Sequence, residues 1–265
     1  MSEAAFEALL RRDRVIVGAA LAALTAAAWL YLLHLASAMS DMAMLDMPTM
    51  PGMAMPAVHA WSWVEVGALV VMWGVMMIAM MTPTAAPMIL MFSTIHRRRT
   101  SEGRPAVPTA VFVLGYLVVW TIYSVVAALA QAGLHSAAML SSAMAATSPL
   151  LAGGLLVAAG VFQWTPLKRA CLATCRSPLS FLMIGWREGR CGAFVMGLRH
   201  GLYCLGCCWA VMALLFVAGI MNLLWVASIA VAILVEKVVP RGDLIGRLAG
   251  VVLVAAGVLI LAGAS

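Results

Sequence analysis

The sequence predicts an all-α fold, a polytopic bundle of transmembrane helices with the N-terminus cytoplasmic and the C-terminus outside. Three observations carry this expectation. Of 265 residues, 65% are apolar and only 10% are charged, and mean hydropathy is +1.06. A soluble domain has about half its residues apolar and about a quarter charged, so this composition cannot supply a water-facing surface. The apolar residues also fall into runs of roughly 18 to 25, the length that crosses about 30 Å of hydrocarbon. The third observation is the placement of the cations between those runs.

In chain order the candidate spans are 15–38, 61–81 with a broken extension to 92, 108–132, 149–165, 194–219, 222–239 and 244–263, about seven in all. Arg11, Arg12 and Arg14 precede the first, and Arg97, Arg98, Arg99 and Arg104 follow the second. Lys168, Arg169, Arg176, Arg187 and Arg190 follow the fourth, and Lys237, Arg241 and Arg247 flank the link between the last two. The alternate connections 39–60, 133–148 and 219–222 contain no Lys or Arg. The positive-inside rule then fixes the orientation of a multi-pass membrane protein. The net charge of +6 is thereby assigned to solvated cytoplasmic faces in contact with anionic lipid, not to nucleic acid. The first span has an apolar core too long for a signal-peptide h-region of about 7 to 15 residues and is read as a retained anchor. Residues 1–265 form a single membrane domain. No nucleotide-binding motif is present, so neither a nucleotide cofactor nor an enzymatic activity is expected.

Within that frame sulfur is concentrated in three places. The Met-rich outer loop, 39–60, carries Met39, Met42, Met44, Met47, Met50, Met53 and Met55 at intervals of two or three, with Pro48, Pro51, Pro56 and Gly52 interrupting any helix. Thioether is a soft neutral donor that favours Cu(I), so the loop reads as a copper-collecting site helped by Asp41, Asp46 and His59. An adaptable interface rich in Met is the alternative. Span two places Glu65, Met72, Met76 and Met80 on one narrow helical face and Met77, Met81 and Met88 on an adjacent one. Such a stripe serves either packing or a metal path. Glu65, near the outer end, must pair, meet water or greet a cation, while Pro83 and Pro87 interrupt the helix near its inner end.

The cysteines give the third concentration. Cys171 and Cys175 sit four apart in a basic inner loop, 165–193, where one helical turn puts both thiols on one side for two-coordinate Cu(I) or a redox pair. A structural zinc needs four ligands, and this loop supplies two. His200, Cys204, Cys207 and Cys208 cover about a third of the circumference of span five and form a compact N/S cluster. Arg199 lies inside the same span, where a cation requires a partner, and Glu236 is the available counter-charge. Packed, inert thiols are the plainer reading of the cluster.

The segments MMIAMMTPTAAPM (76–88), QWTPLKRACLATCRSP (163–178), the run beginning GLRHGLYCLGCCWAVM at Gly197, and EKVVP (236–240) occur in that order. Together they resemble a bacterial polytopic inner-membrane family of unassigned function labelled predicted metal-binding integral membrane proteins. By position, the resemblance implies roles for Met80, Met81, Pro83, Pro87, Pro166, Lys168, Cys171, Cys175, Pro178, Cys204, Cys207, Cys208, Asn222, Glu236 and Lys237. It implies no particular metal. Copper rests on the donor chemistry above.

The functional expectation is therefore a membrane protein that transports or hands over a soft metal ion, Cu(I), through Met and Cys ligands. Its ligands are Cys204, Cys207, Cys208, His200, Cys171, Cys175, Met72, Met76, Met80, Met81, Met42, Met44, Met47, Met50, Met53 and Met55, supported by Glu65, Arg199, Glu236 and Lys237. Its partners are the lipid bilayer and a periplasmic copper chaperone or a membrane cuproenzyme. The alternatives are a transmembrane thiol-disulfide oxidoreductase and a structural subunit of a membrane complex. The first lacks any cysteine in an outer loop to exchange electrons.

Overall fold

The computed structural model describes residues 3–45, 61–103, 107–141 and 144–263. They are helical almost throughout, with no strand among them beyond one isolated bridge between Leu140 and Ala146. The first three helices are long: α1 (Glu3–Leu45), α2 (Trp63–Ser101) and α3 (Thr109–Ser136). Two short helices follow α4 (Pro149–Phe162), namely α5 (Pro166–Arg176) and α6 (Pro178–Gly185). The last group is α7 (Gly189–Met212), one-turn α8 (Leu215–Ala218), α9 (Leu223–Val238) and α10 (Gly242–Ala262).

Local sequence explains the boundaries. Pro149, Pro166 and Pro178 each stand in the first turn of a helix, where the absent N–H costs nothing and the fixed φ favours the start. Asn222 caps α9 by accepting from Trp225 N at 3.1 Å. Ser62 and Glu65 form a reciprocal capping box on α2. The carboxylate of Glu65 thus serves the end of its own helix, a role its spacing from Ser62 would have signalled.

Five helices are long and apolar enough to cross a membrane: Arg12–Ala38, Trp63–Ser101, Thr109–Ser136, Gly189–Ala218 and Gly242–Ala262. A sixth is reached if α4 and α5, bent by 64° at their junction, count as one broken span. The seven expected spans contract because α9 has only 16 residues, about 24 Å at 1.5 Å per residue, short of about 30 Å. Two further expectations change. The broken extension of span two is instead one continuous helix through Pro83 and Pro87 to Ser101. The first helix runs on to Leu45, so the outer loop does not begin at residue 39. The inner loop 165–193 contains α5, α6 and the start of α7.

Packing is organised around α2, α3 and α7. The most extensive interfaces are α3 with α7, α4 with α10, α1 with α2 and α2 with α3. At the α3–α7 crossing a Cβ added to Gly201 would stand 2.8 Å from Val119 Cγ2, and one added to Gly115 would stand 2.9 Å from Leu198 N. Only glycine permits this approach, in the manner of small-residue helix contacts in membranes. It brings Tyr116 of α3 against the thiol-bearing face of α7.

A buried thiol and lysine centre

Five helices meet at Cys204. On α7, His200, Cys204, Cys207 and Cys208 follow helical spacing onto one buried face, each no more than 2% exposed. Lys168, Cys171, Leu172 and Cys175 lie at i, i+3, i+4 and i+7 on α5, the face turned toward α7. Cys171 packs so closely on α7 that its Sγ stands 2.8 Å from where a Cβ on Gly206 would be. Cys175 lies one turn further along α5, within electrostatic reach of Cys207. The last turn of α9 contributes Glu236 and Lys237, α2 contributes Met81 and Thr84, and α3 contributes Tyr116.

The polar contacts are specific. Lys237 Nζ donates to Cys204 Sγ at 2.9 Å and to Thr84 Oγ1 at 3.2 Å. Tyr116 Oη donates to the Met81 carbonyl at 3.2 Å and lies 3.3 Å from Cys204 Sγ. Cys207 and Cys208 both turn their S–H groups onto the Cys204 carbonyl, at 3.1 and 2.9 Å. The thiols are therefore neighbours that do not point at one centre. Among the described residues no three or more His, Cys, Asp or Glu side chains are grouped to hold a metal ion.

Beside the thiols lies a second buried pair. Lys168 Nζ meets Glu236 Oε2 at 2.7 Å, with side chains 3% and 8% exposed, and also donates to Gln163 Oε1. This revises the expectation for Arg199 and Glu236. Glu236 belongs to Lys168, whereas Arg199 is exposed and turned toward Gly185, away from the sulfur cluster. Lys168 was legible as one cation of a basic loop and as a position of the resembled motif, without a partner. Its burial depends on the 64° bend between α4 and α5; Thr165 and Pro166 mark the break locally, but not the direction in which it turns Lys168.

The remaining expected ligands divide. Met72, Met76, Met80 and Met81 are all buried on α2, with Met77 and Met88 beside them. His200 is enclosed by the rings of Phe112, Tyr116 and Phe181 at centroid distances of 6.1, 5.5 and 5.9 Å. Among the described residues neither of its nitrogens has a hydrogen-bond partner. It sits one turn from Cys204, about 6 Å along the axis. Met42 and Met44 fall in the last turns of α1, with their side chains outside the described set. Met47, Met50, Met53, Met55, Asp46 and His59 lie outside the described residues. Cys191 is exposed, apart from the cluster.

The class of protein that fold and site define is an all-helical chain with membrane-length apolar helices enclosing a soft-donor centre. Residues 70–260 match the model of the PpoB2 family, described as a copper chaperone. The chain belongs to that copper chaperone family. No curated protein and no solved structure matches it.

Proposed function

We propose that the chain is a polytopic bacterial inner-membrane protein that carries or hands over Cu(I), with the buried thiols of α5 and α7 as its transfer site. One observation bears most of the weight: α5 sets Cys171 against Gly206 of α7, beside a core where Cys204, Cys207 and Cys208 are each 1% exposed. Copper(I) is content with few soft ligands, so a thiol pair joining two helices suffices where three or four converging ligands are missing. The methionines of α2 border the same core and offer neutral sulfur for ligand exchange. Copper is cargo in this reading, captured outside by the Met-rich segment 39–60 and passed inward through sulfur. The same ladder run in reverse would load a membrane cuproenzyme or a periplasmic chaperone. Thiol exchange with a protein partner requires an accessible sulfur, which the burial of the α7 cysteines disfavours.

The test is Cu(I) binding by the anaerobically purified full chain in lipid nanodiscs, measured by competition with a chelator. Wild type binds stoichiometric copper. Cys204→Ser/Cys207→Ser/Cys208→Ser loses it by about a hundredfold or more, on the scale of about 1.4 kcal/mol per factor of ten, while helicity is retained. Equal copper affinity in the triple variant would remove the thiols from the mechanism.

A further inference from the structure

Lys237 has no obvious purpose in a packed core. Its ammonium is 8% exposed as a residue, and it stands beside an ion pair already complete, since Glu236 is engaged by Lys168. Among the described residues its polar contacts are Cys204 Sγ and Thr84 Oγ1. Electrostatically it is in reach of Cys175, Cys204, Cys207 and Cys208 together. A lone ammonium in an apolar interior is costly unless an anion matches it.

We infer that Lys237 is the fixed counter-cation of the thiol centre and makes that centre selective for monovalent soft ions over divalent ones. The inference rests on the proposed function and adds the charge rule by which the site chooses its cargo. Two thiolates holding one monovalent ion carry a net charge of −1. The +1 of Lys237, already hydrogen-bonded to a sulfur of the cluster, neutralises that complex where water is excluded. Two thiolates holding a divalent ion are neutral and leave the ammonium unmatched, with a like charge close by. Three thiolates would restore balance for a divalent ion, but Cys207 and Cys208 turn toward the Cys204 carbonyl, and no three ligands converge among the described residues.

The experiment measures Ag(I) and Cd(II) affinities for the full chain in nanodiscs under anaerobic conditions, each by chelator competition, with the sulfur-to-cadmium charge-transfer band as a second readout. Wild type holds Ag(I) in preference to Cd(II). Lys237→Met, close in shape and uncharged, lowers the Ag(I)-to-Cd(II) affinity ratio by roughly 30-fold or more, the scale of truncating one partner of a buried charge pair. Lys237→Arg keeps the wild-type ratio, which a purely steric role for the side chain would not predict. Thr84→Val, which removes the second anchor of the ammonium, shifts the ratio in the same direction by a smaller factor and keeps the test alive if Lys237→Met fails to fold. A wild-type ratio in both Lys237→Met and Thr84→Val overturns the inference, as does wild-type protein that binds Ag(I) and Cd(II) alike. Wild type that binds no Ag(I) is a separate result, and it removes the proposed function itself.

Discussion

The α4–α10 pair and the thiol centre are built from the same chain by opposite means. Between α4 and α10 the helices touch through glycine: a Cβ added to Gly153 would stand 2.9 Å from the Gly257 carbonyl, and one added to Gly160 would stand 2.8 Å from that of Gly250. Their outer faces are bare hydrocarbon, with Leu150 74% and Leu259 73% exposed. Along this seam the pair achieves one of the closest associations in the molecule through glycine and aliphatic contacts. The centre around Cys204, in contrast, buries two lysines, a glutamate, a glutamine and three α7 thiols. The chain can thus pack helices tightly by shape alone, whereas at the centre buried charges are matched to partners within the core. The two regions meet at Gly246 of α10, where an added Cβ would stand 2.6 Å from Glu236 Oε1 and 3.5 Å from Gln163 Oε1. The glycine seam ends by making room for the ion pair.

The sharpest way to test the contrast is to unbalance the charged side. Lys168→Met leaves Glu236 buried without its partner and is expected to destabilise the fold by about 3–5 kcal/mol, the range for breaking a buried pair. Adding Glu236→Gln removes the orphaned charge, so the double variant recovers most of that loss. Denaturant unfolding in detergent micelles measures both. If the single variant matched wild type, the pair would not be desolvated as the structure has it.

A smaller effect belongs to the seam. Gly160→Leu forces side-chain atoms into the Gly250 backbone and is expected to cost about 1–3 kcal/mol, as for overpacking elsewhere. Copper affinity should stay at the wild-type value, because α4 meets α7 at Trp209, through Phe162 at a centroid distance of 5.3 Å, away from Gly160's own contacts with α10. A variant that lost copper in proportion to stability would join the two regions into one cooperative unit and end the contrast.

The fold class was legible from apolar runs, and so was the sulfur concentration, because helical spacing alone aligns His200, Cys204, Cys207 and Cys208. What sequence could not supply is partnership between distant segments. By sequence Glu236 is the available counter-charge for Arg199, yet the 64° bend after Phe162 swings Lys168 into the core instead. Lys237 was visible as a lysine at an inner helix end, the commonest place for a solvated cation, and nothing local predicts that it faces a thiol 33 residues earlier. Glu65 was legible in principle, since Ser62 three residues before it spells a capping box. Helix length was overestimated where hydropathy outlasts geometry: residues 223–235 are apolar but for Ser228, yet Asn222 and the extended backbone at Val239 hold α9 to 16 residues.

The least disruptive change asks whether the methionines of α2 belong to the packed side of this comparison or the chemical one. Met76, Met80 and Met81 are each no more than 1% exposed and fill space among α2, α3 and their neighbours. Leu is nearly equal in volume, so Met76→Leu/Met80→Leu/Met81→Leu should cost less than about 1.5 kcal/mol per site. If the thioethers serve only as filling, copper uptake into proteoliposomes proceeds at the wild-type rate. As exchange ligands, however, they lower the barrier between successive sulfur sites without setting the final affinity. The triple variant should then slow uptake several-fold while equilibrium copper affinity at the thiols stays unchanged. A kinetic defect with intact affinity and near-intact stability is an outcome that neither packing nor the Cys204 centre alone would produce, and it would assign α2 to the transfer path.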